Sequence, residues 1–248
     1  PLERGSIHVP EGSISLILTE VVVRAPGPAH YGACDDAAGR RSSRRWPMQV
    51  PAFFETVPPI VMYDPLAELL GAAAGGIVEY RYVDAVRLAG HSCPTVAGAW
   101  LMTAKALRRL YGDGLPQRGA VRVEVRQRQD EGVAGVIGNV AGLVTGAAGD
   151  GGFKGLAGRF ARRGLISYGA AIDGDLRFTR TDTGAPVEVA CHQEIVERPK
   201  ELKTLMHSAL GPASDADARR AFGETWQEWV RRIVIDHADD PALVTVVG

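Results

Sequence analysis

Two thiol–imidazole pairs occur in a chain with only three cysteines, Cys34, Cys93 and Cys191. The first is His91-Ser92-Cys93 within Gly90–Pro94, and the second is the adjacent Cys191-His192. Thiolate and imidazole are the soft ligands of zinc, and the same pair makes a nucleophile with its base. Two chemistries therefore stand open at His91 and Cys93: a metal site, or a metal-free thiol with Cys93 as nucleophile and His91 as base. Cys191 is the further ligand if the fold brings it near. Adjacent strand residues point to opposite faces, so only one of Cys191 and His192 can face such a site. A packed strand residue is the plainer reading of Cys191. Lys154, in a loop whose glycines give its neighbours little bulk, is the candidate electrostatic partner for an anionic group.

The elements around the first pair are well marked. Pro94 suits the first turn of a helix, and Val96, Ala97, Trp100, Leu101, Ala104 and Leu107 follow at helical spacing. Cys93 is thus expected at the N-cap, where free N–H groups favour the thiolate. The helix should run to about Tyr111 and close at Gly112, Gly114 and Pro116. Before it, Pro59–Tyr63 reads as a strand and Asp64-Pro65 as a helix start with Leu66, Leu69 and Leu70 on the buried face. Ile77–Val83 alternates as a half-buried strand with Val78, Tyr80 and Tyr82 on one face. Asp84 then caps a short helix through Leu88.

Beyond the long helix, Val121, Val123 and Val125 alternate with Arg122, Glu124 and Arg126 as a strand. In Gly132–Thr145, glycines at 138, 142 and 146 recur at intervals of four. They line one helix face for close backbone packing, or for approach of a ligand. The Thr145–Gly155 stretch lacks the spacing of a phosphate loop, and Lys154 takes the place of the third glycine of a dinucleotide loop. Leu165–Ile172, Asp175–Thr181 and Val187–Cys191 read as strands, with a hairpin turn at Asp173-Gly174 and a longer one at Asp182–Gly184. The end is helical: Leu202, Leu205 and Met206 in one helix, and Asp215–His237 in another. The second carries a stripe of Phe222, Trp226, Trp229, Val230 and Ile233 for docking on the domain or on a second subunit.

These residues resemble a family. Gly90–Pro94 with Gly98, then Thr145-Gly146, Gly152–Gly155 and Phe178–Gly184, are similar in kind and order to the formylmethanofuran dehydrogenase E-subunit (FmdE) family. The similarity covers about residues 58–191. The resemblance implies an α+β core with a mixed or antiparallel sheet flanked by helices, often dimeric, and a metal cleft at the His-x-Cys motif. It implies a divalent metal, zinc before others, on His91 and Cys93 with Cys191 as a third ligand. It also implies a small one-carbon or carbonyl-type substrate, or an accessory protein that delivers metal or cofactor to a partner enzyme. The chain departs from its relatives where Gln127–Asp130 and Ala147 stand in place of two cysteines, and no cysteine follows Cys191 to make the zinc finger some relatives carry. Water, a substrate group, Asp130 or Cys191 would complete a simpler His/Cys site.

Composition sets the frame. The chain has 248 residues, 46% hydrophobic, with 28 basic and 29 acidic side chains for a net charge of −1. No excess charge draws it as a whole to nucleic acid or an anionic membrane. Three widely spaced cysteines point to a reducing, cytoplasmic setting. The first residues do not read as a signal peptide, and the uncharged run Gly132–Gly149 is too glycine-rich for a membrane span. Three regions follow: a loosely ordered arm at 1–47, with Ile14–Val23 as one strand and an arginine cluster at 40–45; a core at 48–198; and a helical extension at 199–248. Met48 stands as an alternative start.

Overall fold

The structure, a computed structural model, describes residues 48–247. Cys34, the strand expected at Ile14–Val23 and the arginine cluster lie outside the described residues. The fold is α+β, as expected. Its centre is a five-stranded sheet in the order β4-β3-β5-β6-β7: β3 (Val121–Val125), β4 (Ile166–Tyr168), β5 (Leu176–Arg180), β6 (Pro186–Cys191) and β7 (Val244–Val247). Only β3 and β4 run parallel. A separate antiparallel ribbon pairs β1 (Ile60–Tyr63) with β2 (Ile77–Tyr80).

One sheet face is covered by two helices. α3 (Pro94–Tyr111) packs on β5, β6 and β7, while α4 (Ala134–Thr145) packs on β3 and β4. Val121, Val123 and Val125 bury on this face with Leu176, Phe178 and Val189. The other face carries a charge ladder, with Arg177 between Glu124 and Glu188. Alternation in sequence thus becomes alternation across the sheet. α3 is buried almost all round its first half, Val96 to Thr103, because α2 (Tyr82–Ala89) and α6 (Ala216–Arg231) cover the side away from the sheet.

Three local readings are corrected. The Ile77–Val83 alternation does not carry through: the strand stops at Tyr80, and Tyr82 and Val83 open α2. A capping box ends the strand, with Asp84 at N3 accepting from the Arg81 N–H at 2.9 Å. α1 (Pro65–Leu69) is held at its start by Asp64, which accepts from the N–H groups of Leu66 and Ala67, yet it makes a single turn. Leu69 and Leu70 lie on the surface, because so short a helix has no second turn to form an apolar stripe. Asp173-Gly174 is not a hairpin: β4 pairs with β3, so the chain crosses over β3 before β5 begins. The Asp182–Gly184 turn does join β5 to β6, with Gly184 at φ 73.

The C-terminal helices dock on the domain. α5 (Leu202–Leu210) packs against α6. A π-helical turn at Arg232–Asp236 follows α6 and buries Ile233 and Val234. The chain then adds β7 at the sheet edge, a strand the helical pattern did not announce. Lys105 of α3 donates to the Val244 carbonyl at 2.6 Å and ties that strand down.

Candidate functional site

The Gly90–Pro94 turn joins α2 to α3. Gly90 takes the left-handed conformation at φ 75 that ends α2, which suits a residue with no Cβ. Cys93 is the N-cap of α3, with extended backbone and its sulfur accepting from the Val96 N–H at 3.5 Å. Pro94 follows at the first helical position, as its spacing required. Ser92 is buried between His91 and Cys93. Its hydroxyl shares a hydrogen bond with the Tyr82 hydroxyl at 3.0 Å, and burial pushes the Tyr82 pKa up, so that partner is a neutral phenol. The Ser92 carbonyl accepts from Trp226 Nε1 at 2.9 Å and from Gln227 Nε2 at 3.1 Å. Helix α6 therefore latches the turn.

His91 is exposed, and its Nδ1 lies 2.9 Å from the Ala89 carbonyl. A carbonyl only accepts, so Nδ1 carries the proton. In the neutral ring the lone pair is then on Nε2, which has no hydrogen-bond partner among the described residues. Metal-binding histidines are commonly oriented by such a bond to a backbone carbonyl.

Cys191 comes to the same helix from the sheet. The ideal position of a Cβ on Gly98, one turn along α3, lies 2.9 Å from the Cys191 sulfur and 2.6 Å from Gln193 Nε2. Gln193 in turn donates to the Pro94 carbonyl at 2.7 Å. Only glycine at position 98 lets β6 approach so closely. Burial, with Asp175 adding repulsion, pushes the Cys191 thiol up to about 12. It is a protonated packing group at neutral pH. His192 points elsewhere: its Nε2 pairs with the Thr245 hydroxyl at 3.1 Å, and Nδ1 lies 3.4 Å from Glu194. The second thiol–imidazole pair is thus divided between the two sides of β6.

The remaining candidates lie apart from one another. Lys154 is exposed on the loop after α4, with no hydrogen bond or ion pair among the described residues. Asp130 is exposed and paired with Arg128. The glycine face of α4 packs closely on neighbouring protein and also borders a cavity of about 550 Å³ lined by Gly138, Asn139, Gly142, Ala147 and Tyr168 among others. A side chain at Gly138 would overlap the Tyr168 hydroxyl, and one at Gly142 would meet the Ala147 carbonyl oxygen at 2.7 Å. The Tyr168 side chain at Gly138 and the Ala147 backbone at Gly142 each come too close for a Cβ.

Among the described residues no group of three or more His, Cys, Asp or Glu side chains converges to hold a metal ion. Structural zinc sites take four protein ligands and catalytic ones three. His91 and Cys93 supply two donor types on one turn, fewer than either kind of site takes, with His91 exposed and Cys93 buried in the hydrophobic core. Sequence reasoning missed Tyr82, Trp226 and Gln227 as the supports of the turn. Trp226 was legible only as part of an apolar stripe, not as a donor to Ser92. Among comparisons with known proteins, no family model matches this chain and no curated protein matches it. No described helix is long and apolar enough to cross a membrane.

Proposed function

We propose that the chain is an FmdE-like protein that binds a divalent metal, zinc before others, through His91 Nε2 and Cys93. The observation that carries this reading is the Nδ1–H of His91 on the Ala89 carbonyl. It leaves the Nε2 lone pair of an exposed ring two residues from the N-cap thiol. A divalent ion with open positions supplies Lewis acidity toward a carbonyl or water. The chain's own part is to hold the two donors. Tyr82, Trp226 and Gln227 fix Ser92 between them, and the Val96 N–H donates to the Cys93 sulfur. Two protein donors make a labile site, which fits an accessory or delivery role better than a resident cofactor. Water, a small one-carbon or carbonyl-type ligand, a partner enzyme or a second copy of the chain completes the coordination. Cys93 exposes only 8% of its surface and lies in the hydrophobic core cluster.

A second reading keeps the same turn without metal, with Cys93 as nucleophile and His91 as base. The N–H of Val96 on the Cys93 sulfur favours it. Competition with a zinc-binding dye, beside the alkylation rate of Cys93 in metal-free protein, separates the two. Transfer of zinc to the dye, with slow alkylation at neutral pH, supports the first. Absence of zinc uptake, with alkylation faster than that of a free cysteine, supports the second.

A further inference from the structure

Away from the His91–Cys93 turn, two arginines converge on one aspartate. Arg162 has a side chain only 7% exposed, and its Nη2 donates to Asp64 Oδ1 at 2.7 Å. Arg118 Nη1 donates to Asp64 Oδ2 at 3.1 Å, while its Nε and Nη2 reach the carbonyls of Val144 and Leu143. Asp64 is already the N-cap of α1, so its Oδ1 also accepts from the N–H groups of Leu66 and Ala67. Although burial opposes it, the Ala67 N–H and the arginines hold the Asp64 carboxyl below its usual value. One saturated carboxylate thus faces two guanidiniums. The cluster carries a positive charge in excess, where buried charges are ordinarily paired.

Nε and Nη1 of Arg162 are buried without any hydrogen-bond partner. Nη1 occupies the space that a side chain on Gly119 would fill, and lies 2.9 Å from the ideal Cβ position of Gly146. Both glycines have positive φ, 82 and 74. The guanidinium is therefore seated in a cradle that only glycine leaves open. Beside it lies a cavity of about 270 Å³, lined by Arg118, Gly119, Arg159, Phe160, Arg162 and Thr181 among others. The third arginine, Arg159, stands over the Phe160 ring at 4.8 Å and forms no ion pair among the described residues.

We infer that this cavity is a binding site for the oxyanion of a small molecule, a phosphate or carboxylate group held between Arg162, Arg118 and Arg159. Guanidinium donors converging on one small cavity are the usual means of holding such groups. A bound oxyanion balances the surplus positive charge that Arg118 and Arg162 leave around Asp64. The site shares no residue with the His91–Cys93 turn, so it stands or falls independently of the metal reading.

The test is thermal unfolding and titration calorimetry of the full chain with inorganic phosphate and with acetate, against sodium chloride at equal ionic strength. A saturable rise in Tm and a binding isotherm are expected for one of the two anions, and which one identifies the group. Arg159 is exposed, so Arg159→Gln should keep the fold by circular dichroism and weaken that anion about tenfold. Arg162→Lys, if folded, should bind it no better than chloride. A wild-type response to both anions no larger than to chloride, or an Arg159→Gln affinity equal to wild type, would overturn the proposal.

Discussion

Cys93 and Cys191 show how one residue type takes two roles beside the same helix. Cys93 sits at an N-cap, where a backbone N–H meets its sulfur. Cys191 sits under α3 with burial holding it protonated. A thiol whose folded pKa is raised favours folding below its unfolded pKa, and that contribution is lost as pH rises through the folded value. Stability should therefore fall between about pH 9 and 12, and Cys191→Ala should flatten that part of the profile in chemical denaturation. Trp226→Phe keeps an aromatic ring but removes the donor to Ser92. It should cost about 1 kcal/mol by the loss of one hydrogen bond, read by urea denaturation, and it should loosen the His91 turn. The N-cap place of Cys93 was legible because proline at the next position has few other uses. The alternation rule left one face of β6 for Cys191 and the other for His192, as found. The bond from His91 Nδ1 to Ala89 was not legible, since it depends on how Gly90 turns the chain.

At the scale of elements, the α4 glycines give the clearest expectations. Alanine for glycine in a helix ordinarily gains up to about 1 kcal/mol. At Gly142 the new methyl meets a backbone oxygen at 2.7 Å that cannot swing away, so Gly142→Ala should instead destabilise by about 1–3 kcal/mol. At Gly138 the obstacle is a side chain, the Tyr168 ring. Gly138→Ala should destabilise in wild type and become neutral or stabilising on a Tyr168→Ala background, as a double-mutant cycle in urea would read. These glycines were visible as a face in the sequence, but what fills the face was not. The long helices and the strands β3, β5 and β6 were readable because their periods of 3.6 and 2 persist over several residues. The end of β2 was not, because Tyr82 continues the strand alternation while the Arg81–Asp84 capping box turns the chain into a helix. Asp64 was legible as a helix cap, and its second role as the carboxylate between Arg118 and Arg162 was hidden, since Arg162 lies 98 residues away.

For the whole molecule, the extension from residue 199 is part of the core rather than an appendage. Val230, Ile233, Val234, Leu243 and Val244 are buried in the same cluster as Trp100 and Phe178. Each such side chain contributes about 1.5–3 kcal/mol, against a total stability of about 5–15 kcal/mol for a domain. A chain ending at Arg198 should therefore show no cooperative unfolding transition by calorimetry. It would also lose the Trp226 and Gln227 bonds to Ser92, so the fold couples its last helix to its candidate site. The central claim is that His91 and Cys93 together hold a metal. The most direct test is elemental analysis of the full chain, purified without chelator and reloaded with zinc, beside His91→Ala and Cys93→Ala. Zinc near one equivalent per chain in wild type, falling to background in both variants while their folds persist, is the expected result. No zinc on wild type after reloading, or the same content in all three proteins, would contradict the account.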